Sequence, residues 1–171
     1  MIVLFVLVLS ACGNTTKNSG NTSEISGKEE LVYDSVEGFD YSDVEGGIII
    51  TYFKNYDYVE YDKIYVPEEI DGKPVIGIGA KEKDETYYGS VFTAIFGECE
   101  IVIPDSVRYI GGESFTGAGG LVKLSGGKNC KEIGEYAFLN CYNLKEITFL
   151  SNVTDLADNA FAGCTAWEAN H

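Results

Sequence analysis

The chain has 171 residues, 45% of them hydrophobic, with 27 acidic against 12 basic side chains and a formal charge of -15. An acidic surplus of this size repels phosphate backbones and anionic headgroups and argues against nucleic acid as a partner. The single histidine, His171, offers no His-based triad or metal cluster, and no spacing of carboxylates or cysteines selects a catalytic pair, a calcium loop or a zinc site. The expectation is a non-enzymatic chain with no cofactor and no metal.

The first element is the apolar run IVLFVLVL at 2–9, too short to span a bilayer and succeeded at once by LSAC. Residues 1–11 therefore read as a signal peptide. LSAC resembles the bacterial lipobox, and the resemblance implies cleavage before Cys12 and lipid attachment to it. No Lys or Arg precedes Cys12, which departs from the usual charged start. Residues 12–30 then form a tether rich in Gly, Ser, Thr and Asn. Together these segments place the folded part at the bacterial cell surface, exported and held to the membrane by its lipid anchor only.

Residues 31–63 read as an N-terminal β cap. A Gly-Gly turn between strand-like runs predicts a hairpin from about Phe39 to Phe53, covering the edge of the first repeat. Nine of the twelve tyrosines lie between Tyr33 and Tyr88. Tyr56, Tyr58 and Tyr61 form a candidate aromatic patch for protein or sugar, although tyrosines in this number also suit the packing of a β cap.

Residues 64–171 are organised by a repeat. Phe115, Phe138 and Phe161 are 23 apart, as are Ile110, Ile133 and Leu156; Leu121, Leu144 and Trp167; Ile101, Leu124 and Ile147; Val107, Cys130 and Val153; and Ala118, Cys141 and Cys164. A period of 23 falls in the range of leucine-rich repeats, and Leu144, Ile147, Phe149, Asn152 and Leu156 spell that repeat's signature. A degenerate fourth unit begins at Ile64, where IDGKP and KEKDETYYG are insertions that restore register by Phe92. One unit buries too little apolar surface to offset the ordering of 23 residues, so the units must stack. Cys141 and Cys164 share their column with Ala118. Buried apolar filler and a disulfide between stacked units both remain open for Cys99, Cys130, Cys141 and Cys164.

The units IPDSVRYIGGESFTGAGGLVKL, KEIGEYAFLNCYNLKEITF and VTDLADNAFAGCTAWEA resemble the BspA-like class of bacterial leucine-rich repeat. The resemblance covers about residues 39–167. It implies a leucine-rich repeat solenoid, mainly β, with a parallel sheet and short helical turns in each 23-residue repeat. It also implies display at the surface and a role in adhesion or in binding proteins. Gly126 and Gly127 replace the expected apolar residue and proline, which predicts a weak middle strand.

Alternation from inward Ile101, Leu124 and Ile147 points Glu100, Lys123 and Glu146 outward in one row and Val102, Ser125 and Thr148 in the next. This is the candidate binding face, although a Glu-Lys-Glu row also reads as a solvated charge ladder. The expected function is a lipid-anchored surface protein whose repeats bind a protein or glycan. The alternative is a structural spacer or truncated fragment of a larger surface protein, with self-association at an uncapped C-terminal edge.

Overall fold

A computed structural model describes residues 30–55, 57–81 and 89–170; the expected leader, Cys12, most of the tether and most of the KEKDETYYG insertion lie outside them. The described chain opens with β1 (Val32–Tyr33) and an antiparallel hairpin of β2 (Phe39–Val44) and β3 (Gly47–Phe53). After β4 (Lys63–Tyr65), β5 (Glu69–Ile70) and β6 (Lys73–Ile78) fold back on each other. Asp71 and Gly72, at φ 52 and 73, supply the two left-handed residues of this tight turn. Asp-Gly is a favoured pair there because both positions need positive φ to match strand twist. The IDGKP insertion is thus the tip of a hairpin.

From β7 onward each coil gives one strand to each of two sheets. The first sheet runs β1-β4-β7-β9-β11, with β7 at Cys99–Ile103, β9 at Leu121–Gly126 and β11 at Glu146–Ile147, all parallel. The second runs β12-β10-β8-β6-β3-β2, with β8 at Tyr109–Ile110, β10 at Glu132–Ile133 and β12 at Asp155–Leu156. It is parallel except where β2 meets β3. The sequence predicts one parallel sheet; the column of Ile110, Ile133 and Leu156 forms short strands of its own and makes a second. α1 (Thr165–Glu168) is the one α-helix among the described residues. The β2–β3 hairpin joins the second sheet beside β6, while β1 covers the β4 edge of the first.

Inward residues of successive coils stack in columns. Ile64, Ile101, Leu124 and Ile147 line the first sheet, and Ile50, Ile78, Ile110 and Ile133 the second; all are buried. Between them the rings of Phe53, Phe92, Phe115, Phe138, Phe161 and Trp167 form one continuous pile, with centroids 5.6, 4.9, 5.1, 5.3 and 4.5 Å apart. That spacing is set by the ~4.8 Å separation of hydrogen-bonded strands. It places near-parallel rings close to the offset-stacked distance. Tyr33 closes the N-terminal end of the pile, edge-on to Phe53 at 5.3 Å and to Tyr61 at 5.2 Å.

The turns carry a third ladder. Phe115 N–H donates to Ala137 O, Gly117 N–H to Leu139 O and Asn140 N–H to Ala162 O, at 2.7 to 2.9 Å. Gly117, Asn140 and Gly163 occupy one column with φ 74, 59 and 72. Glycine and asparagine recur there because this left-handed geometry costs other side chains most. β9 is six residues long despite ending at Gly126, and a side chain at that position would strike the Ile103 carbonyl oxygen. The glycine lets two coils approach there rather than cutting the strand short.

All four described cysteines are free thiols and buried. Cys141 donates to Phe115 O at 3.0 Å and Cys164 to Phe138 O at 2.8 Å, so each thiol bonds to the coil before it as well as filling space. Burial pushes Cys99 up to about 12 and Cys130 up to about 11, and a hydrogen bond with Cys164 together with burial raises Cys141. The thiolate is the reactive form, so these three groups should be inert in the folded protein. The hydrogen bond with Cys141 lowers Cys164, and there it is complete burial that shields the thiol from a reagent. A thiol reagent at neutral pH is expected to label all four only after unfolding without reductant. Fewer than four labelled positions would mean a disulfide instead.

Candidate functional site

The outward face of the first sheet is a polar ladder. Lys63, Glu100, Lys123 and Glu146 stand side by side on β4, β7, β9 and β11. Lys63 Nζ lies 3.3 Å from Glu100 Oε2, and Lys123 Nζ lies 3.2 Å from Glu146 Oε2. Ser125 Oγ donates to Glu100 Oε1 at 2.5 Å. Partial burial would raise Glu100, but the Ser125 hydroxyl and the Lys63 ammonium outweigh it and hold the carboxyl below its ordinary range. The second row places Val102 between exposed Tyr65 and Ser125. Thr148 lies one residue beyond β11 and is exposed. Charges on this face meet their opposites on the next strand, which gives it order but little net attraction for a ligand.

The candidate tyrosines do not form one patch. Tyr61 turns inward and packs on Tyr33 and Phe53. Tyr56 lies outside the described residues. Tyr58 projects outward, 71% exposed, with its backbone in the left-handed region at φ 55. The cause is Asn55, a buried amide that accepts from Val59 N–H at 2.9 Å and donates to Val59 O at 2.8 Å and Ala94 O at 3.0 Å. These three bonds fix the loop ahead of β4 and tie it to the next coil.

The partner of Tyr58 is Phe96, whose ring centroid is 5.3 Å away in edge contact. Nothing in the tyrosine spacing points to Phe96; the only signal is its place in the turn ahead of β7. Gly119 and Tyr142 come after it in the same column, and Tyr142 is 53% exposed. The edge where the chain enters the first sheet thus presents Tyr58, Phe96 and Tyr142 beside the charge ladder. Large amphipathic rings held rigidly at a surface supply contact area at low entropy cost. Among the described residues no group of three His, Cys, Asp or Glu side chains converges as a metal site.

The two-sheet stack, its 23-residue register and its Phe and Cys columns decide what the repeats are. Residues 88–170 match the BspA type leucine rich repeat region (6 copies). The BspA-type match spans every coil from Phe92 to α1. Solved leucine-rich repeat proteins share the fold. A leucine rich repeat protein of T. pallidum superposes with a TM-score of 0.63 at 24% identity, covering 78% of this chain and 57% of that one. A leucine rich cell surface protein of Faecalibacterium prausnitzii A2-165 gives 0.59 at 22%, covering 81% and 36%. A leucine-rich repeat protein of Bacteroides capillosus ATCC 29799 gives 0.55 at 24%, covering 73% and 87%. The chain thus spans a little over half of the first of these proteins and about a third of the second. No curated protein matches the chain.

Proposed function

We propose that this chain is a non-enzymatic binding protein of the bacterial cell surface, anchored through lipid on Cys12, whose repeat solenoid holds a protein or glycan. The observation that carries the reading is the Tyr58–Phe96 pair, an exposed tyrosine on a half-buried phenylalanine, with the strained backbone of Tyr58 maintained by a buried amide. Strain of this kind persists only where surrounding structure holds it, and it concentrates at functional sites. The BspA-type repeats and the surface description of the F. prausnitzii neighbour support the location.

The test is a screen of the purified mature protein against glycan and surface-protein arrays. A ligand is expected that the native protein retains and the Tyr58→Ala variant loses by about tenfold or more. Complete absence of binding by folded protein rejects the proposal. That outcome would favour the structural spacer instead, for which the internally paired charges of the sheet face speak. Lipid attachment is tested separately: radiolabelled fatty acid should enter the native protein and not the Cys12→Ser variant.

A further inference from the structure

A second site lies on the opposite edge, where the chain leaves the first sheet and crosses to the second. There a groove of about 390 Å³ opens between Asp105, Asn129, Arg108 and Lys131, with Ser106 beside it and Pro74 and Ile76 supplying apolar lining. The repeat register builds it. Arg108 N–H donates to Ile76 O at 2.9 Å and Lys131 N–H to Arg108 O at 2.8 Å. The two cations therefore leave adjacent coils from one column.

The groups around the groove differ in how far they are already satisfied. Asp105 is held by the Lys128 ammonium and accepts from Lys128 N–H at 3.1 Å. Lys131 Nζ donates to Asn152 O at 3.0 Å, and Asn129 Nδ2 to Asp105 O at 2.9 Å. Arg108 is the only arginine in the sequence, and its guanidinium has no hydrogen bond or ion pair among the described residues. In a chain of charge -15, carboxylates are abundant, yet among the described residues none makes an ion pair with this fork, and Asp105, the carboxylate that lines the groove, is held by Lys128.

We propose that this groove binds a single carboxylate-bearing sugar residue of the uronic acid type. A planar guanidinium takes a carboxylate through two parallel N–H···O bonds, which an ammonium cannot do. Lys131 adds a second positive charge one coil away. Asn129, with its amide nitrogen engaged, leaves its side-chain oxygen to accept from a ring hydroxyl, and Ser106, whose hydroxyl donates to Glu68 O at 3.4 Å, can accept from another. Pro74 and Ile76 offer the apolar contact that the C–H face of a sugar ring needs. The volume sits near the small end of ligand sites, roughly 300–1,000 Å³, and suits one or two rings.

An acidic peptide fits less well. The strands beneath the groove, β6, β8 and β10, are each paired on both sides, so no free sheet edge is present to take a peptide backbone. A run of carboxylates would also meet the acidic surface as a whole, whereas one carboxylate meets chiefly Arg108. This site is independent of the Tyr58–Phe96 edge, and its test does not depend on what that edge binds.

The experiment is a chemical-shift titration of the isotope-labelled mature protein with glucuronic acid, glucose and a doubly blocked glutamate, at low and at high salt. Glucuronic acid is expected to shift the Arg108 and Asn129 signals, glucose to leave them in place, and added salt to weaken the response. Arg108→Gln should weaken binding about tenfold or more, the loss of charge-assisted hydrogen bonds, with Arg108→Lys intermediate. Lys145→Gln, a control on another face, should bind as the native protein does. Because the Arg108 side chain holds no partner among the described residues, the melting temperature should be unchanged in Arg108→Gln. Equal shifts with glucose, unchanged affinity in Arg108→Gln, no response to glucuronic acid, or equal affinity for the blocked glutamate would each overturn the assignment.

Discussion

Replacing Phe115 by alanine is expected to destabilise the protein by about 4 kcal/mol, within the range for deleting a buried phenylalanine. Phe115 is fully buried at the middle of the ring pile, 4.9 Å from Phe92 and 5.1 Å from Phe138. Its backbone is held by Ala137 O at 2.7 Å, so the coil cannot collapse far into the void. The lost ring also separates the upstream half of the pile from the downstream half. Phe161→Ala, at a half-buried position near the end, should cost about half as much. Denaturant unfolding of both variants checks the order, and the Phe115 variant should melt roughly 10 °C below the native protein. Equal losses would mean that the pile does not behave as one continuous core.

Asn55→Ala should cost about 2–3 kcal/mol, because three hydrogen bonds disappear and Val59 N–H, Val59 O and Ala94 O are left without their partner. The effect should be local as well as global. With the amide gone, only the Tyr58 N–H bond to the backbone carbonyl of residue 55 and the ring contact with Phe96 are left to hold φ 55, and the backbone should relax toward the commoner region. Hydrogen exchange is the direct measurement: the Val59 amide should lose protection while those of β7 and β9 keep theirs. A ligand that needs Tyr58 should bind this variant weakly even though Tyr58 itself is intact. Unchanged exchange at Val59 would show that the loop is held by something other than Asn55.

The stack was legible because its columns repeat: a position such as Phe115, Phe138 and Phe161 announces itself at a fixed offset in a way no single segment does. The second sheet was not. Its strands are two residues long in the repeat coils, and Glu132–Ile133 is too short for a period-two pattern to register. The outward rows of the first sheet come from alternation along β7 and β9, which are long enough to show it. Tyr58 and Phe96 are 38 residues apart, and the agent that joins them is an asparagine whose burial no pattern foretells. Tyr61 and Tyr58 look alike in the sequence, yet one packs against Tyr33 and the other projects outward, because Asn55 turns the loop between them.

The left-handed column at Gly117, Asn140 and Gly163 has an evolutionary corollary. Each coil presents the same three ladders upward and downward, so a coil inserted or deleted whole leaves every remaining contact with an equivalent partner. A change of any other length puts a residue with a side chain where the turn requires glycine or asparagine, and shifts the rings out of the pile. Recombination between neighbouring units is therefore tolerated in steps of one period, while smaller gains are confined to places such as the β5–β6 hairpin, where added residues can close on themselves. Array length is the variable this architecture leaves open to selection, and the coil is its unit of inheritance.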